Sequence, residues 1–512
     1  MSLAGKLQGS ITTLGIVGAG QMGRGIAQIA AVAGLRVRLF DNSAQATADA
    51  LAFISGMLTR AVEKGRLSES EAEHAAANIA PANQLEDLSD CQVVVEAIVE
   101  DLEAKQQLFV TLEHMLGESC ILATNTSSLS VTAIAAKCRL PARVAGFHFF
   151  NPVPLMKVVE VISGIRTEPE VCTALAALAS RMGHAPVRAK DSPGFLINHA
   201  GRGYGTEALR ILSEGVATVS DIDRVMREAA HFPLGPFELF DLTGLDVSDP
   251  VMRSIYHQFY EEPRFRPSPE TARRVSAKLL GRKSGEGFYR YESSRPVLPN
   301  DPPENGTAPG RVWISSKDAE ACTRLTALLE PSGVPIETAA TASVDALCLV
   351  TPFGQDCTTA ALDQDLDPLR TLAVDMLLPE SPRITVMANP ATSGAWRDAA
   401  KALLRVAGRK ATLIADSPGF IVQRILASIV NVACEIAQQR IATPEDIDVA
   451  VRLGLGYPEG PLAWGDRLGR SRILKVLEGL HDITADPRYR PSLWLRRRAQ
   501  LGLSLTAPDL AD

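Results

Sequence analysis

Between residues 11 and 130 the chain alternates short apolar, β-branched runs ("LGIVG", "VRLF", "VVVEAI", "CILATN") with longer stretches whose apolar positions recur at helical spacing. Strands of a parallel sheet joined by crossover helices give this alternation, so a doubly wound α/β domain is expected over 1–190. From 191 the strand signal stops. The run "TEALRILSEGVATVSDIDRVMREAA" keeps the helical period alone, and 191–292 is expected to be all-α. Ser220 with Asp223 three residues on, and Thr443 followed by Pro444, read as helix starts. "SSRPVLPNDPPENGTAPG" at 293–310 is rich in Pro, Gly and Ser and reads as a linker. Weaker α/β alternation returns over 311–415, in "VDALCLVTP" and "RITVMANP", without any glycine fingerprint. It predicts a degenerate α/β segment with no cofactor of its own.

The pattern also repeats. "DSPGFLINHA" at 191 returns as "DSPGFIVQRI" at 416, and the same offset of 225 pairs Asp221-Ile222-Asp223 with Asp446-Ile447-Asp448, Gly235-Pro236 with Gly460-Pro461, and Asp241 with Asp466. Collinear matches without a gap indicate that the helical domain is duplicated, its second copy occupying 416–512.

Composition narrows the class. In 512 residues, 46% are hydrophobic and 22% charged, with a net charge of -7, so a globular chain of several domains is expected and nucleic acid is not a partner. No apolar run approaches the roughly 20 residues of a membrane span, and "MSLAGKLQGS" lacks the apolar stretch of a signal peptide, so a cytoplasmic protein without a membrane partner is expected. Eight scattered cysteines with no CxxC pair suggest neither a zinc site nor a disulfide framework.

Chemistry enters at "GIVGAGQMGRGIAQIAAVAGLRVRLFD", residues 15–41. A strand runs into Gly18, Gly20 and Gly23, and the chain continues as a helix. Gly18 permits the bend, Gly20 lets the backbone approach a pyrophosphate, and Gly23 lets helix and strand pack closely. Asp41 ends the second strand 18 residues after Gly23, where a carboxylate accepts from an adenine ribose and repels a 2′-phosphate. This is a Rossmann-type fingerprint that favours NAD over NADP. Further on, "VAGFHFFNPVPLMKVVEVI" sets His148 among apolar residues with Glu160 twelve positions later. Oxidation of an alcohol needs a base for the hydroxyl proton, and an imidazole oriented by a carboxylate meets that need. A lone histidine is more often structural, and spacing alone leaves that open.

Five stretches, "GAGQMGRGIA", "NTSSLSVTAIA", "GFHFFNPVPLMKVVEVI", "KDSPGFLIN" and "GRKSGEGFYRY", come in an order and spacing that resembles the NAD-dependent L-3-hydroxyacyl-CoA dehydrogenase family over residues 13–291. The resemblance implies His148 as catalytic base paired with Glu160, and Ser127 and Asn198 as groups holding the substrate oxygen. It implies Met22 within the glycine loop, Glu100, Lys105 and Asn151 around the nicotinamide half of NAD, Lys283 as a further cofactor contact, and Lys64 at the phosphate of coenzyme A. The whole layout resembles the long two-repeat bacterial members, including dehydrogenases of 3-hydroxyadipyl-CoA in phenylacetate breakdown and of 3-hydroxybutyryl-CoA. At the repeat offset His148, Glu160 and Asn198 fall on Ala373, Thr385 and Gln423, so chemistry is expected once per chain. Members with one helical domain pair through it, which implies that 416–512 packs on 191–290 as an internal pseudo-dimer, itself able to pair again as a homodimer.

Arg202, four residues after Asn198, is a candidate partner for a substrate carboxylate, with an ion pair at the repeat interface as the structural alternative. Two departures touch the acyl pocket: His199 stands where an arginine usually follows the Asn, and Gly201, Gly203 and Gly205 crowd an early helix. A dehydrogenase acting on another hydroxy acid, and a silent NAD-binding protein, are the competing readings. The second requires a broken site, which the residues present do not show.

Overall fold

The computed structural model describes residues 11–301, 306–337 and 339–509. They form two compact units, one of residues up to 199 together with 439–455, the other of 200–438 and 456 onward.

In the first unit β1 (Thr13–Val17), α1 (Gln21–Val32), β2 (Arg36–Phe40), α2 (Ala44–Glu63), α3 (Glu69–Ala77), β3 (Ile79–Pro81), β4 (Val93–Glu96), α4 (Leu102–Met115), β5 (Ile121–Thr124) and α5 (Val131–Ala135) follow in order. Then come β6 (Val144–Phe149), β7 (Val158–Ser163), α6 (Pro169–Arg181), β8 (Ala185–Lys190) and the short α7 (Ile197–Ala200). The eight strands make one sheet in the order β3-β2-β1-β4-β5-β6-β7-β8. All pairs are parallel except β6–β7. The alternation that predicted crossovers ends at residue 130; beyond it, the connection over 150–157 is too short for a crossover, and the chain must return antiparallel. Apolar strand residues such as Leu14, Ile16, Val93, Val95 and Ile121 are wholly buried, as a sheet covered on both faces requires.

The second unit opens with α8 (Arg202–Ser213), α9 (Val219–Glu228), α10 (Pro236–Thr243), α11 (Leu245–Gln258) and α12 (Pro269–Ser276), then a hairpin of β9 (Tyr291–Glu292) and β10 (Arg295–Pro296). A smaller α/β layer follows: β11 (Val312–Ile314), α13 (Ala319–Leu329), β12 (Ile336–Glu337), β13 (Leu347–Val350), α14 (Cys357–Leu362), β14 (Thr371–Val374), β15 (Arg383–Ala388), α15 (Gly394–Val406) and β16 (Lys410–Ile414). Its sheet order is β12-β11-β13-β14-β15-β16, with β14–β15 antiparallel and β15–β16 parallel, as in β6–β7–β8. The degenerate segment thus keeps the far half of the first sheet's pattern. The second helical repeat supplies α16 (Ile421–Gln438), α17 (Pro444–Leu455), α18 (Pro461–Leu468), α19 (Arg470–Thr484) and α20 (Leu493–Leu501). By length and composition α16 could cross a membrane, but most of it is buried inside the protein, the state of a core helix.

Both copies of "DSPGF" serve one local purpose. Asp191 accepts from the amides of Val131 and Thr132 at the start of α5, and Asp416 from those of Cys357 and Thr358 at the start of α14. A carboxylate there satisfies amides that the helix itself leaves unpaired.

Three details differ from the sequence-based expectation. The helix expected to start at Ser220 is capped by Thr218, whose hydroxyl accepts from the Asp221 amide at 3.2 Å. Asp223 instead lies wholly buried, accepting from the amides of Phe237 and Glu238. The 293–310 stretch is pinned rather than loose where described: Arg224 donates to the Pro299 carbonyl, and Arg383 pairs with Asp301 at 2.8 Å. Finally, α17 of the second repeat belongs to the first unit, where the Lys190 amide donates to the Ile441 carbonyl at 2.8 Å. Its repeat counterpart, Ala415 amide to Val216 carbonyl at 3.0 Å, forms in the second unit. Each repeat therefore lends the segment leading into its second helix to the sheet of the other half.

Candidate active site

The glycine turn comes first in the chain. Gly18 has φ +105°, and a Cβ there would sit 2.5 Å from the Ala97 carbonyl; a Cβ at Gly23 would sit 1.8 Å from that of Gly18. A Cβ at Gly20 would meet nothing within 4 Å, so its absence leaves the mouth of the turn open, as close approach of a diphosphate requires. Asp41 accepts from the Ala19 amide at 2.8 Å and the Ser43 amide at 2.9 Å. It ties the second strand to the turn. Met22 lies partly buried against the apolar core. This cradle fits a dinucleotide.

At the far half of the same sheet, the antiparallel return sets His148 directly opposite Glu160. Both are buried, and Nδ1 of the imidazole lies 2.6 Å from a Glu160 carboxylate oxygen. The second oxygen of Glu160 accepts from the amides of Leu196 and Ile197, at 2.9 and 2.8 Å. With three partners on it, the carboxylate is unable to rotate. Phe150 and Phe195 flank the imidazole, with ring centroids 4.4 and 5.9 Å away. An imidazole that donates from Nδ1 to this carboxylate leaves the lone pair of Nε2 available.

A third cluster ends β4 and β5. Glu96 is wholly buried and accepts from Lys105 at 2.5 Å, Thr124 at 2.7 Å and the Ile98 amide at 2.8 Å. Lys105, only 1% exposed, also lies 3.3 Å from Glu100. Glu100 in turn accepts from the hydroxyl of Thr126 at 2.7 Å, the Ser127 amide at 2.9 Å and the Ser128 hydroxyl at 3.0 Å, with the Ser127 hydroxyl at 3.3 Å. Burial opposes ionisation of Glu100, but these bonds and the charge of Lys105 outweigh it and hold the carboxyl below its ordinary value. Lys105 is therefore a buried charge between two carboxylates rather than a surface lysine, and it reaches Ser127 through Glu100.

The first unit also holds a cavity of about 860 Å³ lined by Arg24, Arg60, Lys64, Arg66, Lys157 and Arg181 and, among the described residues, by no carboxylate. Asn151 lies on its rim, accepting from Gln21 at 2.9 Å. Asn198 is partly exposed on α7. Lys283 and Arg202 belong to the second unit; Lys283 pairs with Asp246, and Arg202 opens α8.

Sequence reasoning missed Glu96, the Leu196 and Ile197 amides, and the other cations around Lys64. A glutamate closing the apolar run "VVVE" was a usable signal, since ionisable groups are almost never fully buried unless paired. The amides carried none.

A glycine-turned dinucleotide cradle and a buried histidine–carboxylate pair on one sheet define a dinucleotide-dependent oxidoreductase. The sequence profile of the 3-hydroxyacyl-CoA dehydrogenase NAD-binding domain matches residues 13–192, and that of the 3-hydroxyacyl-CoA dehydrogenase C-terminal domain matches twice, over 194–291 and 419–506. The chain belongs to the 3-hydroxyacyl-CoA dehydrogenase family, with NAD as cofactor. It is 38% identical over 96% of its length to the 3-hydroxyadipyl-CoA dehydrogenase of Escherichia coli K12, covering 98% of that protein. Over 54% of its length it is 42% identical to a probable 3-hydroxybutyryl-CoA dehydrogenase of Bacillus subtilis, covering 96% of it. A crystal structure described as 3-hydroxybutyryl-CoA dehydrogenase from Escherichia coli K12 superposes with a TM-score of 0.85 at 35% identity, over 96% of this chain and 99% of that one.

Proposed function

We propose that this chain oxidises (S)-3-hydroxyadipyl-CoA to the 3-oxo ester, in the manner of an enzyme of aromatic-acid breakdown in the cytoplasm. His148 takes the proton of the substrate hydroxyl on Nε2, and Glu160 stabilises the resulting imidazolium. NAD, when bound, accepts the hydride released from C3. Ser127 and Asn198 hold the substrate oxygen, Glu100 and Lys105 set the position of Ser127, and Met22, Asn151 and Lys283 contact the cofactor. The observation that carries a CoA ester is the cavity of six cations without a carboxylate, Lys64 among them. A CoA tail bears several negative charges, and a protein of net charge -7 needs such a concentration of cations to hold it.

The six-carbon dicarboxylyl chain is favoured by the likeness to the 3-hydroxyadipyl-CoA enzyme along nearly its full length, both helical repeats included. Arg202 is the cation offered to its terminal carboxylate. The butyryl ester is the second reading, favoured by the description of the superposed crystal structure. NADH formation with (S)-3-hydroxyadipyl-CoA and (S)-3-hydroxybutyryl-CoA side by side decides between them. The expected result is a higher kcat/KM for the dicarboxylyl ester; the reverse order refutes the assignment, and no NADH from either refutes the reaction. The internal pseudo-dimer is supported by the crossing of α8 with α16, where a Cβ on Gly203 would lie 2.8 Å from the Ile429 Cα.

A further inference from the structure

The cationic cavity of the first unit is a groove with a direction. One wall is α1, which turns Gln21, Arg24, Gln28 and Val32 toward it at helical spacing; another is α2, with Phe53, Met57 and Arg60, and with Lys64 just beyond its end. From Phe53 to Lys64 a helix rises about 16 Å. Asn151 stands at the Gln21 end, where the two side chains are hydrogen bonded. Because Asn151 follows His148 by three residues, this end lies within about 11 Å of His148 by chain length alone. Lys64 stands farther along.

The cations of the groove are not equivalent. Arg181 already spends its guanidinium on the carbonyls of Ile11 and Gly34, at 2.6 and 3.4 Å, and Lys64 is exposed. Arg24 is half-buried, and its guanidinium carbon lies 3.8 Å from the centroid of the Phe53 ring. Among the described residues this is its one side-chain interaction, and no carboxylate pairs with it. Phe53, 41% exposed, faces the groove rather than the core. A guanidinium resting on an aromatic ring is fixed in place while its N–H edge stays available, and that edge fits two oxygens of a phosphate at once.

The order of charges in the ligand decides which phosphate. From the thioester outward, a CoA ester presents an uncharged pantetheine chain, then a diphosphate, then a ribose with its 3′-phosphate. A thioester at His148 sets the uncharged stretch at the Asn151 end, and Arg24, one helical turn beyond Gln21, then comes before Arg60 and Lys64. NAD carries a diphosphate as well, but Gly18, Gly20 and Gly23, the residues of its cradle, do not line the groove. We propose that Arg24, held on Phe53, binds the diphosphate of the CoA ester, so that α1 serves both ligands, its first turn the dinucleotide and its flank the substrate. This rests on the acyl-CoA reading above.

The test compares three esters without a 3-hydroxyl as inhibitors of NADH formation by the full chain and by Arg24→Ala. Hexanoyl-CoA is complete, hexanoyl-dephospho-CoA lacks the 3′-phosphate, and hexanoyl-pantetheine ends before the diphosphate. In the wild type each loss is expected to raise Ki. In Arg24→Ala the Ki of the two diphosphate-bearing esters is expected to rise about tenfold, the scale of a hydrogen bond to a charged group. The Ki of hexanoyl-pantetheine, and the affinity for NAD in calorimetric titration, are expected to match the wild type, which also shows that the variant folds. Unchanged Ki values, an equal rise for all three esters, or a loss of NAD affinity would each overturn the proposal. A rise for hexanoyl-CoA alone would overturn it too, since Arg24 would then hold the 3′-phosphate. Equal inhibition by the three esters in the wild type would overturn the CoA reading of the groove as well, which the other failures leave standing.

Discussion

A base must be aimed and able to hold a proton once it takes one, and in the proposed mechanism both depend, for His148, on Glu160. The carboxylate faces Nδ1 at 2.6 Å, and its own orientation is fixed by the Leu196 and Ile197 amides. His148→Gln keeps the volume and removes the base, so kcat is expected to fall about a hundred- to ten-thousandfold while NAD affinity, read by titration calorimetry, stays within error of the wild type. Near-normal turnover would remove His148 from the mechanism. This pair was half legible in the sequence. The two residue types were visible, but a spacing of twelve becomes a contact only through the antiparallel return of β7, which lies beyond the stretch, 11–130, whose alternation of strands and helices could be read. Lys105 was singled out through the resemblance but not as a buried residue, because its burial depends on Glu96 and Glu100 closing around it from neighbouring elements.

At the scale of elements, the segment after β5 is organised by one carboxylate arriving from the segment after β4. Glu100 gathers the amides of Ser127 and Ser128 and the Thr126 hydroxyl, and these bonds lower its proton affinity below the ordinary 4.5. In the unfolded chain the group titrates near that ordinary value. Its stabilising contribution is therefore whole above about pH 4.5 and is lost as the pH falls through the lower folded value. Glu100→Gln lacks the charge at every pH. The expected outcome is a variant with a lower Tm than the wild type at neutral pH, and a gap that narrows below pH 4.5. A gap independent of pH would mean that the carboxylate's charge contributes nothing to holding the loop. Elements of this kind were well read from periodicity, but the helix start at 218 was misplaced by two residues because Ser220 and Thr218 both suit a cap. Only the buried Asp223, engaged with Phe237 and Glu238, decides between them. The glycines of α8 had no local reason either. Gly203 is required by Ile429, and Gly205 by Phe240.

Across the whole molecule the duplication fastens the second unit to itself, and a single catalytic centre is expected. The fastening includes a buried charge cluster: Arg424 lies 2.7 Å from both Glu207 and Glu214 and 2.9 Å from the Tyr489 hydroxyl. Arg424→Leu leaves the buried Glu207 with only the Tyr489 hydroxyl at 2.9 Å and the Arg488 guanidinium at 3.8 Å, and a loss of about 3 kcal/mol in unfolding free energy is expected from denaturant titration; a loss under about 1 kcal/mol would show the cluster to be incidental. The expectation of a single centre follows from what the second copy lacks. After β11 the chain runs through Ser315, Ser316 and Lys317, where the first sheet has its glycine turn, and α13 starts from an Asp318 cap. Gln423, at the repeat position of Asn198, is spent on the Gly354 amide at 3.0 Å, the Pro352 carbonyl at 3.1 Å and Asp375 at 3.0 Å, an interior carboxyl that burial pushes up to about 6. Close approach of a diphosphate uses glycines at this turn, and Ser315, Ser316 and Lys317 provide none. Calorimetric titration of the full chain with NAD is therefore expected to give one binding equivalent, in the wild type and in His148→Gln alike. Two equivalents would mean that the second sheet retains a cofactor site, and that the loss of its glycines did not abolish binding.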